Sequence, residues 1–159
     1  MIRDKIIFIT GGAGFIANTL IKNMIEENKV VAFDNFHRDT LTQSRYAAHR
    51  NLTIVKGDVL DKALLIKAMA GADIVVHAAG IAGIDTVIIN PVKTMTVNMI
   101  GTANALEAAQ INGIKDRFID FSTPEIFGTM AYKSSEDSNT VAGSAGEARW
   151  VYAVSKLAG

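Results

Sequence analysis

A short apolar run, Lys5–Thr10 (KIIFIT), leads straight into Thr10-Gly11-Gly12-Ala13-Gly14-Phe15-Ile16-Ala17, and a helical pattern follows. That order restricts the chain more than any other feature it has. Gly11 permits a tight turn at the end of a strand, Gly14 lets a phosphate approach the backbone, and Ala17 fills a third small position where helix and strand pack closely. The helix start then offers free N–H groups and a positive dipole end to an anion. A glycine cluster alone is also what a plain strand-to-helix turn requires. Here Asp34 follows twenty residues after Gly14, at the end of the next apolar run. A carboxylate there can hold both hydroxyls of a ribose and repels a 2′-phosphate, which favours NAD over NADP. The bland alternative is a solvated turn acid, and Arg38 offers a guanidinium that can accommodate a 2′-phosphate.

The rest of the chain alternates short β-branched runs with longer helical patterns. Strands are expected at Lys5–Thr10, at Lys29–Phe33 ending on Asp34, and at Leu52–Lys56, Asp73–His77 and Arg117–Ser122. Helices are expected over Gly14–Glu27, over Leu41–His49, and from a cap at Asp61 through Met69, with Gly71 at the C-terminal cap position. A long helix begins at Asn90-Pro91, with proline where its missing N–H costs nothing. Val92, Met95, Met99, Ala103 and Leu106 form its apolar stripe, and Asn112-Gly113 ends it. A last helix starts at Arg149. Residues Thr129 to Glu147, rich in Ser, Gly, Asn and charge, read as a loose segment. Apolar strands alternating with helices imply a parallel sheet covered on both faces, and right-handed crossovers make it a doubly wound, Rossmann-like α/β fold.

Composition removes several function classes. Sixteen basic residues cancel sixteen acidic ones among 159, so no positive field gathers nucleic acid or an anionic membrane. The chain has no cysteine and three scattered histidines, which leaves no thiolate chemistry and no metal site to expect. No apolar stretch reaches membrane-spanning length and no export signal opens the sequence, so the cytoplasm is the expected location.

Tyr152-Ala153-Val154-Ser155-Lys156 sets a phenol and an ammonium four residues apart, on one helix face. A phenol is a poor base near neutral pH, and a neighbouring ammonium lowers its pKa. A lone Y-x-x-x-K also arises by chance on amphipathic helices; its weight here comes from the glycine turn in the same chain. The fifth strand runs out into Ser122-Thr123-Pro124-Glu125-Ile126-Phe127-Gly128, at the sheet end where open α/β folds bind ligands. Thr123 is placed to hydrogen-bond a substrate hydroxyl and Glu125 to act as acid or base; the alternatives are a turn-capping Thr and a solvated Glu.

Taken in order, these segments resemble the extended short-chain dehydrogenase/reductase family, in its NAD-dependent nucleotide-sugar epimerase/dehydratase branch. TGGAGFIA resembles the family's TGxxGxxG, departing at Ala17. Gly57-Asp58-Val59, His77-Ala78-Ala79-Gly80, Asn98-Met99-Ile100-Gly101-Thr102 and YAVSK match further family segments along nearly the whole chain. The resemblance implies that NAD is held by Gly11, Gly14, Phe15, Ile16, Asp34, Asn35, Asp58, Val59, Ala78, Ala79, Gly80, Asn98, Tyr152 and Lys156. It implies a catalytic set of Thr123, Tyr152 and Lys156, with Glu125 beside them. The reaction implied is oxidation at C4 of a nucleoside-diphosphate sugar, the 4-keto sugar then being epimerised, decarboxylated or dehydrated. Pro124 stands where the dehydratases carry Asp and the decarboxylases usually Ser; the Glu136–Asn139 and Arg149–Tyr152 stretches look like the uronic-acid decarboxylase and related epimerase group. Epimerase ranks first, decarboxylase second and dehydratase third. A non-catalytic dinucleotide sensor and a structural dimer module are the rivals of other classes. Family members continue past Y-x-x-x-K into a substrate-binding domain, so residues 1–159 are expected to be an incomplete NAD-binding domain. The full-length protein is expected to be a homodimer through the Pro91–Asn112 helix and the Tyr152 helix.

Overall fold

The structure is a computed structural model that describes residues 2–129, 131–144 and 146–159. Among the described residues there are five strands, β1 (Ile6–Thr10), β2 (Lys29–Asp34), β3 (Leu52–Lys56), β4 (Ile74–His77) and β5 (Arg117–Asp120). Six helices accompany them: α1 (Phe15–Met24), α2 (Lys62–Met69), α3 (Ile84–Ile89), α4 (Pro91–Met95), α5 (Gly101–Ile111) and α6 (Trp150–Leu157). The chain divides into two compact units. One runs up to Ala79 and resumes over Gly101–Asp120; the other comprises Gly80–Ile100 and Phe121–Gly159.

The first unit holds the whole sheet, all parallel, in the order β3-β2-β1-β4-β5. This is the doubly wound arrangement expected of apolar strands separated by helices. β4 is buried at every position and β1 from Ile7 onward, as central parallel strands require. Phe8 and Phe33 meet with ring centroids 5.7 Å apart, both fully buried. Truncating such a ring costs about 3–5 kcal/mol. Register brings Thr10, Asp34, His77 and Asp120 to the C-terminal rim of the sheet. Because β1 has β2 on one side and β4 on the other, the chain reverses its winding direction beside β1, the place where such sheets take ligands.

Local chemistry sets most of the differences from expectation. α1 stops at Met24 rather than Glu27, because the buried Asn28 donates its amide to the Met24 carbonyl at 2.9 Å. The segment expected as a helix over Leu41–His49 is instead a series of tight turns, with Ser44, Ala47 and His49 amides reaching the carbonyls three residues back. Only Leu41 in it is buried, so it has no apolar stripe to dock, and Asp39 captures the Leu41 and Thr42 amides with its carboxylate. β4 starts at Ile74, since the Asp73 carboxylate accepts the Ile6 amide at 2.8 Å. β5 ends at Asp120, two residues early. Asp61 caps α2 as expected, accepting the Leu64 amide at 3.0 Å.

The second unit contains α3, unforeseen in the sequence pattern, together with α4 and α6, which pack on each other. The long helix expected from Pro91 to Asn112 is broken by a π-helical turn at Thr96–Ile100. Its expected apolar stripe is largely exposed: Val92 is 76%, Met95 46% and Leu106 43% accessible. The buried positions are Thr94, Asn98, Gly101, Thr102, Ala105, Ala108 and Ala109. Close backbone approach and polar partners, not side-chain bulk, choose the inward face. A 3₁₀ turn covers Pro124–Phe127, and no helix or strand forms among the described residues of 129–147. That segment still makes contacts: Gly143 lies on the Trp150 indole, so closely that a Cβ there would come 1.5 Å from Cε2.

Candidate functional site

In the sheet unit, Gly11 adopts φ +67°, and a Cβ on it would fall 2.7–2.8 Å from the Ala78 and Ala79 backbone. The turn and the strand-four exit therefore touch only because Gly11 has no side chain. Gly14 caps α1 in an extended conformation without any side-chain cap, leaving the first amides of the helix open to an anion. Phe15 and Ile16 expose their side chains (78% and 52%), so what they offer at this position is backbone. Asp34 accepts the Ala13 amide at 3.0 Å on one oxygen and the Phe36 amide at 2.7 Å on the other. Burial pushes its carboxyl above the ordinary value, and those two amides oppose the shift. Each oxygen keeps a further lone pair for a hydroxyl donor. Asn35 donates to Asp58 at 3.2 Å, joining two residues expected to hold the cofactor. Val59 is buried, and a Cβ on Gly101 would meet it at 2.6 Å. These groups fit a dinucleotide: an uncapped helix start, a glycine turn at contact distance from its neighbour, and a half-buried carboxylate with capacity left.

His77 opens the His77-Ala78-Ala79-Gly80 segment at the end of β4. Its buried ring joins Thr10 at 2.7 Å through Nδ1 and Thr102 at 3.1 Å through Nε2, and Thr10 Oγ1 accepts the Ala79 amide at 3.2 Å. This network pins the exit of β4 where Ala78 and Ala79 lie.

The second unit gathers the other expected residues. Asn98, 1% exposed in the π turn, accepts the Ile81 amide at 2.7 Å and donates to the Ile81 carbonyl at 3.0 Å. It also donates to Ser155 Oγ at 3.1 Å, and Ser155 donates to the Tyr152 carbonyl at 2.8 Å. Gly80 lies under the same amide, its missing Cβ 3.3 Å from Asn98 Oδ1. Ser122 Oγ donates to the Lys156 carbonyl at 3.2 Å. The turn of α6 that carries Tyr152 and Lys156 is thus tied at both ends. Ser155 was missed as a positioning group, although it stands inside the YAVSK motif.

The Thr123 hydroxyl accepts the Glu125 amide at 3.3 Å and lies near enough to the Tyr152 phenol to favour its ionised form. Burial of the phenol, followed by the Glu125 charge, pushes Tyr152 above its ordinary value, while Thr123 acts the other way. The net direction is thus opposite to the lowering expected from Lys156. Lys156 is packed into the buried side of α6 (7% exposed). Glu125 and Tyr152 line a cavity of about 80 Å³ with Gly83, Ile84, Val87 and Arg149. Arg149 carried no role in the sequence because an arginine before a helix is unremarkable without the fold.

The sequence profile of the NAD dependent epimerase/dehydratase family matches residues 7–159. A UDP-N-acetyl-alpha-D-glucosaminuronate decarboxylase of Bacillus cytotoxicus is 34% identical over 153 residues, covering 93% of this chain and 46% of that protein. The UDP-N-acetylglucosamine 4-epimerase of Methanobrevibacter ruminantium M1, solved with UDP-N-acetylmuramic acid, superposes with a TM-score of 0.87 at 29% identity, over 98% of this chain and 48% of its own. DesIV of Streptomyces venezuelae, a dTDP-glucose 4,6-dehydratase solved with NAD and TYD, gives a TM-score of 0.85 at 26% identity, over 96% and 48%. The chain spans about half the length of the relatives it matches. On the profile match and these likenesses, the chain belongs to the NAD-dependent epimerase/dehydratase family.

Proposed function

We propose that the protein is an NAD-dependent nucleotide-sugar epimerase acting by transient oxidation at C4 of a nucleoside-diphosphate sugar. The observation that carries this reading is the Thr123 hydroxyl close to the Tyr152 phenol, with Lys156 one helical turn further on. A protein that only sensed a dinucleotide has no use for that set. Gly11, Gly14, Phe15, Ile16, Asp34, Asn35, Asp58, Val59, Ala78, Ala79, Gly80 and Asn98 would hold the cofactor, with the Asp34 carboxylate on the ribose hydroxyls. NAD, when bound, accepts hydride from the sugar carbon. Tyr152 Oη, once deprotonated, takes the proton of the C4 hydroxyl, and the Thr123 hydroxyl hydrogen-bonds the same oxygen. Lys156 supplies positive charge that favours the phenolate and donates to a ribose hydroxyl. Tyr152 would return its proton to the C4 oxygen as hydride is delivered back to the opposite face of the keto sugar.

A second reading, decarboxylation of a nucleotide uronic acid, is favoured by the 34% identity to the Bacillus decarboxylase. Pro124 argues against a dehydratase, since it offers no acid where that reaction needs one. Residues 1–159 serve in this proposal as the cofactor-binding part, with nucleotide and sugar contacts completed by a further domain. We also propose a homodimer formed through the exposed apolar side chains of α4 and α6, acting in the cytoplasm. Among the described residues no helix is long and apolar enough to cross a membrane.

The test follows nicotinamide reduction in the full-length protein on adding UDP-sugars. Tyr152→Phe is expected to lower turnover at least a hundredfold while NAD binding is kept, in line with the ~10²–10⁴-fold contribution of acid–base groups. Normal turnover by Tyr152→Phe would overturn the catalytic assignment.

A further inference from the structure

We propose that Thr40 is a positioning residue for the cofactor diphosphate: it locks the Ala13–Gly14 peptide, so that the glycine turn is set for an anion before one arrives. The inference rests on the dinucleotide reading above and adds to it a residue from a different loop. Thr40 lies in the connection between β2 and β3. Its backbone amide and its hydroxyl both donate to the Ala13 carbonyl, each at 2.9 Å. Ala13 is fully buried, so water does not serve that carbonyl in their place. The same peptide unit continues into Gly14, whose amide donates to the Gly11 carbonyl at 3.0 Å. Across a planar trans peptide, C=O and N–H point opposite ways. With both ends bonded, the plane has one orientation. Turning it over would set the Ala13 carbonyl against the Gly11 carbonyl and break the turn that leaves the first α1 amides open to a phosphate.

Thr40 is itself held. Asn18, on α1, donates its side-chain amide to the Thr40 carbonyl at 2.8 Å and to the Thr40 hydroxyl at 3.0 Å. A carbonyl only accepts, so the amide nitrogen must face Thr40. The consequence is an Asn18 Oδ1 that is buried without a hydrogen-bond partner among the described residues. The Thr40 hydroxyl thus accepts from Asn18 and donates to Ala13, a relay from α1 to the glycine turn. The neighbouring residues keep it there. The Asp39 carboxylate takes the Leu41 and Thr42 amides, Leu41 is sunk into the core, and Tyr46 Oη donates to the Asn18 carbonyl at 2.7 Å. Residues 39–46 therefore strap the start of α1, and Thr40 is where the strap meets the phosphate-facing turn. Serine at this position reproduces the relay. Valine has threonine's shape without the donor and does not.

The test measures binding by titration calorimetry on the full-length protein with NAD, ADP-ribose and adenosine. ADP-ribose keeps the diphosphate and lacks the nicotinamide; adenosine keeps the ribose for Asp34 and lacks the phosphates. Thr40→Val is expected to weaken NAD and ADP-ribose about fivefold or more, in the range of one net hydrogen bond, and to leave adenosine unchanged. Thr40→Ser is expected to bind all three as the native protein does. Asn18→Ala keeps the Thr40 donors and removes their support, so it is expected to show the same selective loss, and it carries the decision should Thr40→Val not fold. An unchanged ADP-ribose affinity, an equal loss on adenosine, or a Thr40→Ser as weak as Thr40→Val overturns this inference alone. A native protein that binds neither NAD nor ADP-ribose overturns the dinucleotide reading with it.

Discussion

Glu125 and Tyr152 are the pair whose charges decide when a base is available. A phenol must lose its proton before it can take another, and in this structure burial and the Glu125 carboxylate both hold that proton on. Removing the charge by Glu125→Gln leaves burial and the nearby Thr123 hydroxyl, so the Tyr152 pKa falls. The sign is fixed: kcat/KM climbs with pH as the phenolate forms, so a lower pKa moves the climbing limb toward acid. A pH profile of Glu125→Gln against the native enzyme checks this, and a limb that stays put or moves toward alkali would show that Glu125 does not act on the phenol. The residues of this site were legible because their types carry chemistry at fixed spacing: Tyr152 and Lys156 by a helical turn, Asp34 by its distance from Gly14. What spacing does not carry is the sign of a pKa shift. The ammonium four residues away suggested a lowered phenol, but burial and an acid from the Pro124–Phe127 turn outweigh it, and both depend on contacts distant in sequence.

At the scale of elements, α6 is held by pieces that look unstructured in sequence. Gly143 sits within a stretch without helix or strand, yet its Cα rests on the Trp150 indole that opens α6. Gly143→Ala forces that ring to move, since a methyl at 1.5 Å cannot coexist with it. Overpacking of this kind costs about 1–3 kcal/mol, and the displaced indole carries Arg149 and the first turn before Tyr152 with it. Trp150 is the chain's single tryptophan, so a shift in its fluorescence together with a lower denaturation midpoint is the expected result. Unchanged emission would show that the indole does not rest there. The strands and α2 were readable from apolar runs and the Asp61 cap. The π turn was not, because it arises from Asn98 grasping both backbone groups of Ile81, a pairing that periodicity cannot express. The expected helix over Leu41–His49 failed for the converse reason: its composition permits a helix, but nothing in the fold needs an apolar face there.

For the molecule as a whole, the misplaced stripe matters most. Val92, Met95 and Ile100 on the broken helix, and Val154 and Leu157 on α6, stand 43–76% exposed. Scattered apolar side chains on a surface are ordinary, but here they share two helices that pack on one another. On the homodimer proposed above, these positions are apolar for a second copy of the chain rather than for the sheet. In a two-fold dimer each position is used twice, and full burial of a Val or Met contributes about 1.5–3 kcal/mol. Replacing Met95 and Val154 together by lysine therefore removes at least about 6 kcal/mol from the pair and adds unpaired charge. That corresponds to weakening of more than about 10⁴-fold. Light scattering across a dilution series of the full-length protein is expected to show a native dimer and a Met95→Lys/Val154→Lys monomer with its sheet circular dichroism retained. A native monomer at all concentrations, or a double variant that still pairs, would show that this face serves something other than self-association.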